Sequence, residues 1–190
     1  MQNVEFKAEI RDLEAARRQC GLVGARRAGS FAQVDTYFRI PDGRLKRRVS
    51  TPIAAATSLD NGPVAGTIEW IYYRRPDAPA ARVSNYTILS DAQARVRYGE
   101  GTLLPWKIVR KTREVWIVDN VRIHLDHVDG LGFFIEFEAV VSPRFDAAEC
   151  RMMVVYLRDA FAPILGEPIG GSYESLTAEL PENDRSQPLP

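Results

Sequence analysis

Thiols and imidazoles are scarce in this chain. Of 190 residues only two are cysteine, Cys20 and Cys150, and neither has a CxxC partner. Only two are histidine, His124 and His127, with no further ligand at zinc spacing. That combination excludes a zinc framework, argues against thiol catalysis and makes a reducing cytoplasm the expected location. Net charge is also lacking: 25 basic residues balance 25 acidic ones. Bulk charge therefore gives no argument for nucleic acid or an anionic membrane as partner, and any anion site must come from local sorting of charge. No stretch approaches the roughly 18 apolar residues of a membrane span. The opening MQNVEFKAEIRD mixes both charge signs, so no signal peptide is expected there. There is no internal repeat and no alternation of strand and helix that would imply a parallel sheet.

What the chain does have is alternation. Residues 4–10, 33–40, 44–50, 67–75, 106–113, 114–118, 121–127 and 133–141 read as strands, giving eight. Pro41-Asp42-Gly43, Asp119-Asn120 and Asp129-Gly130-Leu131-Gly132 are turn signals between neighbouring runs. Asp12, Ser90, Asp146 and Ser172 can each cap a helix. The first carries Leu13, Ala16 and Cys20 on one face. The third is the longest, with Met152, Met153, Val155, Tyr156 and Phe161 as its expected core residues. Residues 51–66 and 76–81 read as loops. The class is α+β with an antiparallel sheet. One domain over 1–180 is expected, followed by a disordered tail at 181–190.

The strands depart from the usual one-sided pattern, in which every second residue is apolar and the other face mixes neutral polar groups with charge. Glu5, Lys7 and Glu9 share a face. So do Arg44, Lys46 and Arg48; Lys111 and Arg113; Arg122, His124 and Asp126; and Glu136 and Glu138. The alternate faces are apolar: Val4, Phe6, Ala8 and Ile10; Val121, Ile123 and Leu125; Ile135, Phe137 and Ala139. Ser, Thr, Asn and Gln are almost absent from the charged faces. A sheet closed on itself, with its apolar faces outward against helices and its charges inward, accounts for this and removes the exposed edges. A lumen crowded with Arg and Lys needs a polyanion. Triphosphate fits guanidinium forks, and carboxylates beside it suit Mg²⁺ or Mn²⁺.

The same residues resemble the CYTH family of triphosphate tunnel metalloenzymes, which includes class IV adenylyl cyclase and thiamine triphosphatase. Asn3-Val4-Glu5-Phe6-Lys7 is similar to the Glu-x-Glu-x-Lys signature, with Asn3 in place of the first Glu and Glu9 on the same face as a substitute. Val34 to Phe38 with Gly43 to Arg48, then Tyr72 to Asp77, Lys111-Thr112-Arg113, Arg122 to Phe133 with Glu136-Phe137-Glu138, and Ser172-Tyr173 with Leu176 resemble later blocks in order. The resemblance implies an eight-stranded antiparallel tunnel with flanking helices. It implies phosphate contacts from Lys7, Arg44, Lys46, Arg48, Lys111, Arg113 and Arg122, and from Arg74 or Arg75. It implies metal contacts from Glu5, Asp126, Glu136 and Glu138. Glu5, Lys7 and Glu136 are the residues expected at the chemistry itself. Tyr37 and His124 are further candidates for the lumen, Asp35 and Glu69 are candidates of less certain orientation, and His127 falls on the opposite strand face.

Phosphoryl transfer asks for in-line placement and charge neutralisation more than for covalent help. Attack by water would make the protein a hydrolase of a nucleoside or inorganic triphosphate, the preferred reading. Attack by a ribose hydroxyl would make it an adenylyl cyclase that releases pyrophosphate. A non-catalytic triphosphate-binding module is the second alternative, suggested by Asn3, and a structural β-domain with solvated strands is a third. The family resemblance allows a monomer or a homodimer.

Overall fold

The computed structural model describes residues 1–53, 66–99 and 101–177. Most of the loop expected at 51–66 and the whole tail at 181–190 lie outside the described residues. The described residues form nine strands: β1 (Gln2–Ile10), β2 (Arg26–Phe38), β3 (Arg44–Pro52), β4 (Thr67–Arg74), β5 (Arg82–Leu89), β6 (Pro105–Val118), β7 (Val121–Val128), β8 (Gly132–Val140) and β9 (Leu165–Pro168). Four helices accompany them: α1 (Leu13–Leu22), α2 (Asp91–Tyr98), α3 (Ala147–Phe161) and α4 (Tyr173–Leu176). Among the described residues no helix is long and apolar enough to cross a membrane.

The first eight strands form a closed ring in the order β1-β8-β7-β6-β2-β3-β4-β5, and β5 returns to pair with β1 from Gln2↔Asn85 to Glu5↔Arg82. Every pairing is antiparallel, which an even number of strands permits. Short β9 takes over the far end of β1, opposite Ala8 and Ile10, where β5 no longer reaches. The ring leaves no open hydrogen-bonding edge among its eight strands, so the sheet satisfies its own backbone groups.

Eight strands are expected and eight close the ring, but the two sets differ. Residues 106–118, expected as two strands, lie in one continuous strand of 14 residues, β6. Strand β5 has no counterpart in the expected set, because its polar residues Ser84, Asn85 and Thr87 interrupt any apolar alternation. β2 begins at Arg26, seven residues before the predicted start, because its first part pairs only with the distal half of β6.

Local chemistry sets the turns and helix starts. Gly43 has φ +79°, and a Cβ there would lie 2.9 Å from the Tyr73 carbonyl oxygen, so the β2–β3 hairpin requires glycine. Asp12 accepts a hydrogen bond from Ala15 N at 2.9 Å and starts α1. Ser90 with Gln93, and Asp146 with Glu149, form reciprocal capping boxes that start α2 and α3. Ser172 behaves differently from its prediction. It makes no side-chain cap to α4, and its Oγ accepts a hydrogen bond from the Tyr73 hydroxyl at 3.1 Å.

The apolar core lies outside the ring. Val4, Phe6, Ala8 and Ile10 of β1, Val121, Ile123 and Leu125 of β7, and Ile135, Phe137 and Ala139 of β8 pack under α1 and α3. Helix α3 contributes Cys150, Val154, Leu157 and Phe161, spaced at i, i+4, i+7 and i+11. That corrects the expected core of this helix: Met152, Val155 and Tyr156 face away and are exposed. Burial, with Glu114 nearby, raises the Cys20 thiol to about 12, so this cysteine is a packing residue. Arg17 and Arg27 pair with Glu114 and tie α1 and β2 to β6.

The two stripes of α3 should respond differently to truncation. Leu157→Ala is expected to cost about 2–5 kcal/mol in unfolding free energy, and Met152→Ala no more than about 0.5 kcal/mol, measured by denaturant titration. Equal losses would contradict the assignment of the packed face.

Candidate functional site

With the apolar faces outward, the charged faces meet inside the ring around a cavity of about 420 Å³. Register explains how so much charge is tolerated there. Directly opposed residues on neighbouring strands are Asp35 and Arg48, Arg113 and Asp126, Arg122 and Glu138, Lys7 and Glu136, and Glu5 and Arg82. Each is a pair of opposite sign, the favourable cross-strand case. The exception is Glu5 opposite Glu138, where two carboxylates face one another.

The densest cluster is built on Asp35, which is fully buried. Arg48 donates to it through Nε at 2.6 Å and Nη2 at 2.8 Å, Lys111 through Nζ at 2.8 Å and Lys46 through Nζ at 3.1 Å. Burial alone would push the Asp35 carboxyl up. The combined field of Arg48, Lys111 and Lys46 overcomes this and holds it well below the usual carboxylate range. One anion facing three cations leaves this corner of the lumen with surplus positive charge. The surplus has a cost: burial and neighbouring cations lower Lys111 well below the ordinary lysine value, and lower Lys46 to about 8 despite Asp35.

Across the lumen the acidic residues gather on β1, β7 and β8. Arg113 grips Asp126 with Nε at 2.7 Å and Nη2 at 2.6 Å and also reaches Glu136 at 3.0 Å. Lys7 Nζ lies 3.1 Å from the other oxygen of Glu136. Burial would raise Glu136, but Lys7, His124 and Arg113 hold it well below its ordinary value, and Arg113 likewise brings Asp126 to about 2 against burial. His124 lies 3.3 Å from Glu136, and burial followed by the field of Arg113 lowers its pKa, which favours the neutral ring. Glu5 is held by Arg75 and Arg82.

One end of the lumen is filled. Tyr37, Val109, Val128, Phe134 and Tyr173 form a second apolar cluster below the charges. Tyr173, at the start of α4, donates to Asp126 at 2.7 Å, and Lys7 Nζ stands 4.2 Å from its ring centroid. The segment leading to it is tied in by Arg75 to Gly171 O at 3.1 Å. At the other end the lining turns partly apolar, with Phe31, Ile71, Ile88 and Val115 beside Tyr86.

Most predicted site residues line this cavity: Glu5, Lys7, Tyr37, Lys46, Arg48, Arg75, Lys111, Arg113, Arg122, His124, Glu136 and Glu138, together with Glu69. Four expectations need correction. Arg44 has the right parity but sits at the end of β3, bound to Glu174 at 2.9 Å and Asp77 at 2.5 Å, and does not line the cavity. Arg74 points outward and pairs with Asp42, so Arg75 is the inward arginine. Glu9 is exposed beyond the end of the lumen and cannot stand in for Asn3. Asp126 is wholly buried behind Arg113 and Tyr173, which leaves it outside the cavity wall.

Three contributors carry more than the sequence indicates. Asp35, expected only as a candidate for the lumen, is the centre of a cluster, and its position opposite Arg48 is the signal for it. Arg82 lay on the unrecognised β5. The role of Tyr173 beneath Lys7 depends on where the chain returns after α3, which local pattern does not encode.

The donor chemistry also fits a divalent cation. His124, Glu136 and Glu138 bring one ligand atom each within 4.8 Å of one another. Two carboxylates lining this cavity suit an oxygen-seeking metal. His127, by contrast, stacks on Phe133 at 4.7 Å outside the ring and takes no part.

The family model described as the CYTH domain matches residues 1–150. The chain belongs to the CYTH domain family. Solved structures agree on the fold of this CYTH chain. A protein from Pyrococcus horikoshii OT3 is 19% identical with a TM-score of 0.66, covering 92% of this chain and 98% of its own. A Vibrio parahaemolyticus protein described as a candidate adenylate cyclase is 19% identical with a TM-score of 0.62, covering 92% and 96%. A candidate adenylyl cyclase from Hippeastrum, reported to show a dominant triphosphatase activity, is 14% identical with a TM-score of 0.55, covering 92% and 94%. No curated protein matches the chain at a significant level. At these identities the structural likenesses establish the closed antiparallel barrel, and the chemistry of this CYTH chain is argued from its own residues.

Asp35→Asn tests the cationic corner while preserving shape. Three buried cations would then face a neutral amide, an imbalance of about 3–5 kcal/mol, read as a lower Tm. Added tripolyphosphate should recover much of the loss. A variant as stable as its parent, with no response to the polyanion, would contradict the cluster's role.

Proposed function

We propose that this protein is a metal-dependent enzyme that hydrolyses a triphosphate drawn into the barrel, with Mg²⁺ or Mn²⁺ as cofactor. The observation that carries the reading is the polarised lumen: Lys46, Arg48 and Lys111 converge on one carboxylate, while Glu136 and Glu138 lie together on β8. A triphosphate tail laid against the first wall compensates its surplus charge, and its other side faces the acidic wall. A divalent cation bound at Glu136 and Glu138 would neutralise phosphate oxygens between the two walls and activate water.

The protein's own groups do the rest. Arg48 and Arg113 present planar forks that match phosphate oxygens in pairs, and both are fixed by bidentate contacts to Asp35 and Asp126 before any ligand arrives. Lys7, held between Glu136 and the Tyr173 ring, is placed to contact the chain's phosphates as a point charge. The reported triphosphatase activity of the Hippeastrum relative supports hydrolysis.

Adenylyl cyclisation is the second reading. It is favoured by the partly apolar mouth of Phe31, Ile71, Ile88 and Val115, which could receive an organic group, and by the description of the Vibrio relative. Product analysis separates the two. Incubation of ATP, thiamine triphosphate and tripolyphosphate with Mg²⁺ or Mn²⁺ should release orthophosphate, whereas cyclic AMP with pyrophosphate would establish cyclisation. In either case Arg48→Ala should lower kcat/KM by about a hundredfold or more. Absence of turnover on the whole panel, with tight binding retained, would leave a non-catalytic module.

Lys46 supplies a pH test. Burial, with Arg48 beside it, lowers its ammonium to about 8, and a bound polyanion favours the charged form and raises that value. Binding should therefore take up a proton as the pH rises through about 8, and affinity should fall by up to about tenfold per pH unit above that point. Titration calorimetry in buffers of different protonation enthalpy measures the uptake. A flat affinity with no proton uptake would contradict it.

A further inference from the structure

Most carboxylates in the barrel are committed to cations of the protein itself. Asp35 is covered by three of them, Asp126 by Arg113 and Tyr173, and Glu5 by Arg75 and Arg82. On β8, Glu136 is likewise held by Lys7 at 3.1 Å and Arg113 at 3.0 Å, but Glu138 differs: among the described residues its ionic partner is Arg122 at 3.3 Å, whose own side chain is 39% exposed. Glu138 also faces Glu5 across the β1–β8 ladder, an arrangement of like charges that a cation would relieve. Its neighbours in space are Glu136, two residues along the strand, and His124, which the register sets opposite Glu136. Among the described residues this is the group of three metal-ligating side chains whose donor atoms come together.

An independent feature lies on neighbouring β1, two residues beyond the Glu5–Glu138 pair. Asn3 is buried at 4% exposure, lines the same cavity, and its Oδ1 has no hydrogen-bond partner. It sits on β1 two residues before Glu5, on the same face. A buried amide oxygen without a donor is destabilising, and coordination to a cation would satisfy it.

We propose that His124 is a direct ligand of a divalent cation held with Glu136 and Glu138, that Asn3 Oδ1 supplies a further oxygen, and that this donor set takes Mn²⁺ in preference to Mg²⁺. The set differs from the one implied by family resemblance, Glu5, Asp126, Glu136 and Glu138. Here Glu5 has two arginine partners and Asp126 has Arg113 and the Tyr173 hydroxyl, whereas Glu138 has Arg122 alone among the described residues, and Glu136 shares its oxygens between Lys7, Arg113 and the His124 imidazole. Mg²⁺ binds hard oxygen ligands and keeps its waters, whereas an imidazole nitrogen is well suited to a transition ion. The inference deepens, and rests on, the reading of the lumen as a metal-assisted triphosphate site.

The test reads the metal and not turnover. The metal-free full chain is titrated with Mn²⁺, with and without tripolyphosphate, and studied by electron spin-echo modulation. His127→Gln, a change outside the ring, leaves His124 as the sole histidine. Nitrogen modulation should be present, should change pattern when the protein carries ¹⁵N-histidine, and should vanish in His124→Gln with Mn²⁺ affinity lower by about tenfold or more. Mg²⁺ at equal concentration should displace little of the bound Mn²⁺. The isotope experiment needs no change at His124, so a variant that fails to fold does not decide the outcome. Bound Mn²⁺ without nitrogen modulation, no bound Mn²⁺ in either arm while tripolyphosphate binds, or equal competition by Mg²⁺ would overturn the proposal. Nitrogen-coupled Mn²⁺ in a protein that does not bind tripolyphosphate would support this site and count against the functional reading alone.

Discussion

Charge placed inside a closed sheet has to be largely balanced there, because the ring of eight strands limits the solvent that would otherwise screen it. Asp35 shows the consequence most clearly. Its two oxygens organise Arg48, Lys46 and Lys111 from two neighbouring strands, and the three side chains would repel one another without it. Yet one carboxylate does not balance three cations. The shortfall leaves that wall ready for an anion, and the protonation equilibria of both lysines already register the strain. The same arginines and lysines thus hold the barrel together and leave it incompletely neutralised.

The apolar architecture serves this arrangement from outside. Helices α1 and α3 cover the outer faces of β1, β7 and β8, so the acidic strands are backed by the main core and their carboxylates are fixed in place. The second cluster, with Tyr173 from α4, fills one end of the lumen. The returning C-terminal segment therefore contributes to the site as well as to packing: it supplies the ring beneath Lys7 and the hydroxyl that helps to hold Asp126.

The inward charge was legible in the sequence because strand parity has a period of two, and five strands carried ionic residues at that period. Parity gives a face and not a height along the barrel. Arg44 and Glu9 have the right parity and sit past the ends of the lumen. Nor does it reveal which neighbours claim a side chain, and so Asp126 was expected at a metal when Arg113 and Tyr173 hold it. β5 was missed because its residues mix polar and apolar groups on both faces, and it is recruited by the pairing of its two edges to β1 and β4. On α3 the periodicity left two apolar stripes to choose from, and only the packed neighbours decide between Leu157 and Met152.

The proposed seat of a triphosphate chain is the lumen, and a crystal of the protein soaked with tripolyphosphate would show whether it lies there. Density for the anion is expected inside the ring, within hydrogen-bonding distance of Arg48, Lys111 and Arg113. Density confined to the outer surface, with those three side chains still turned wholly to their carboxylates, would contradict it.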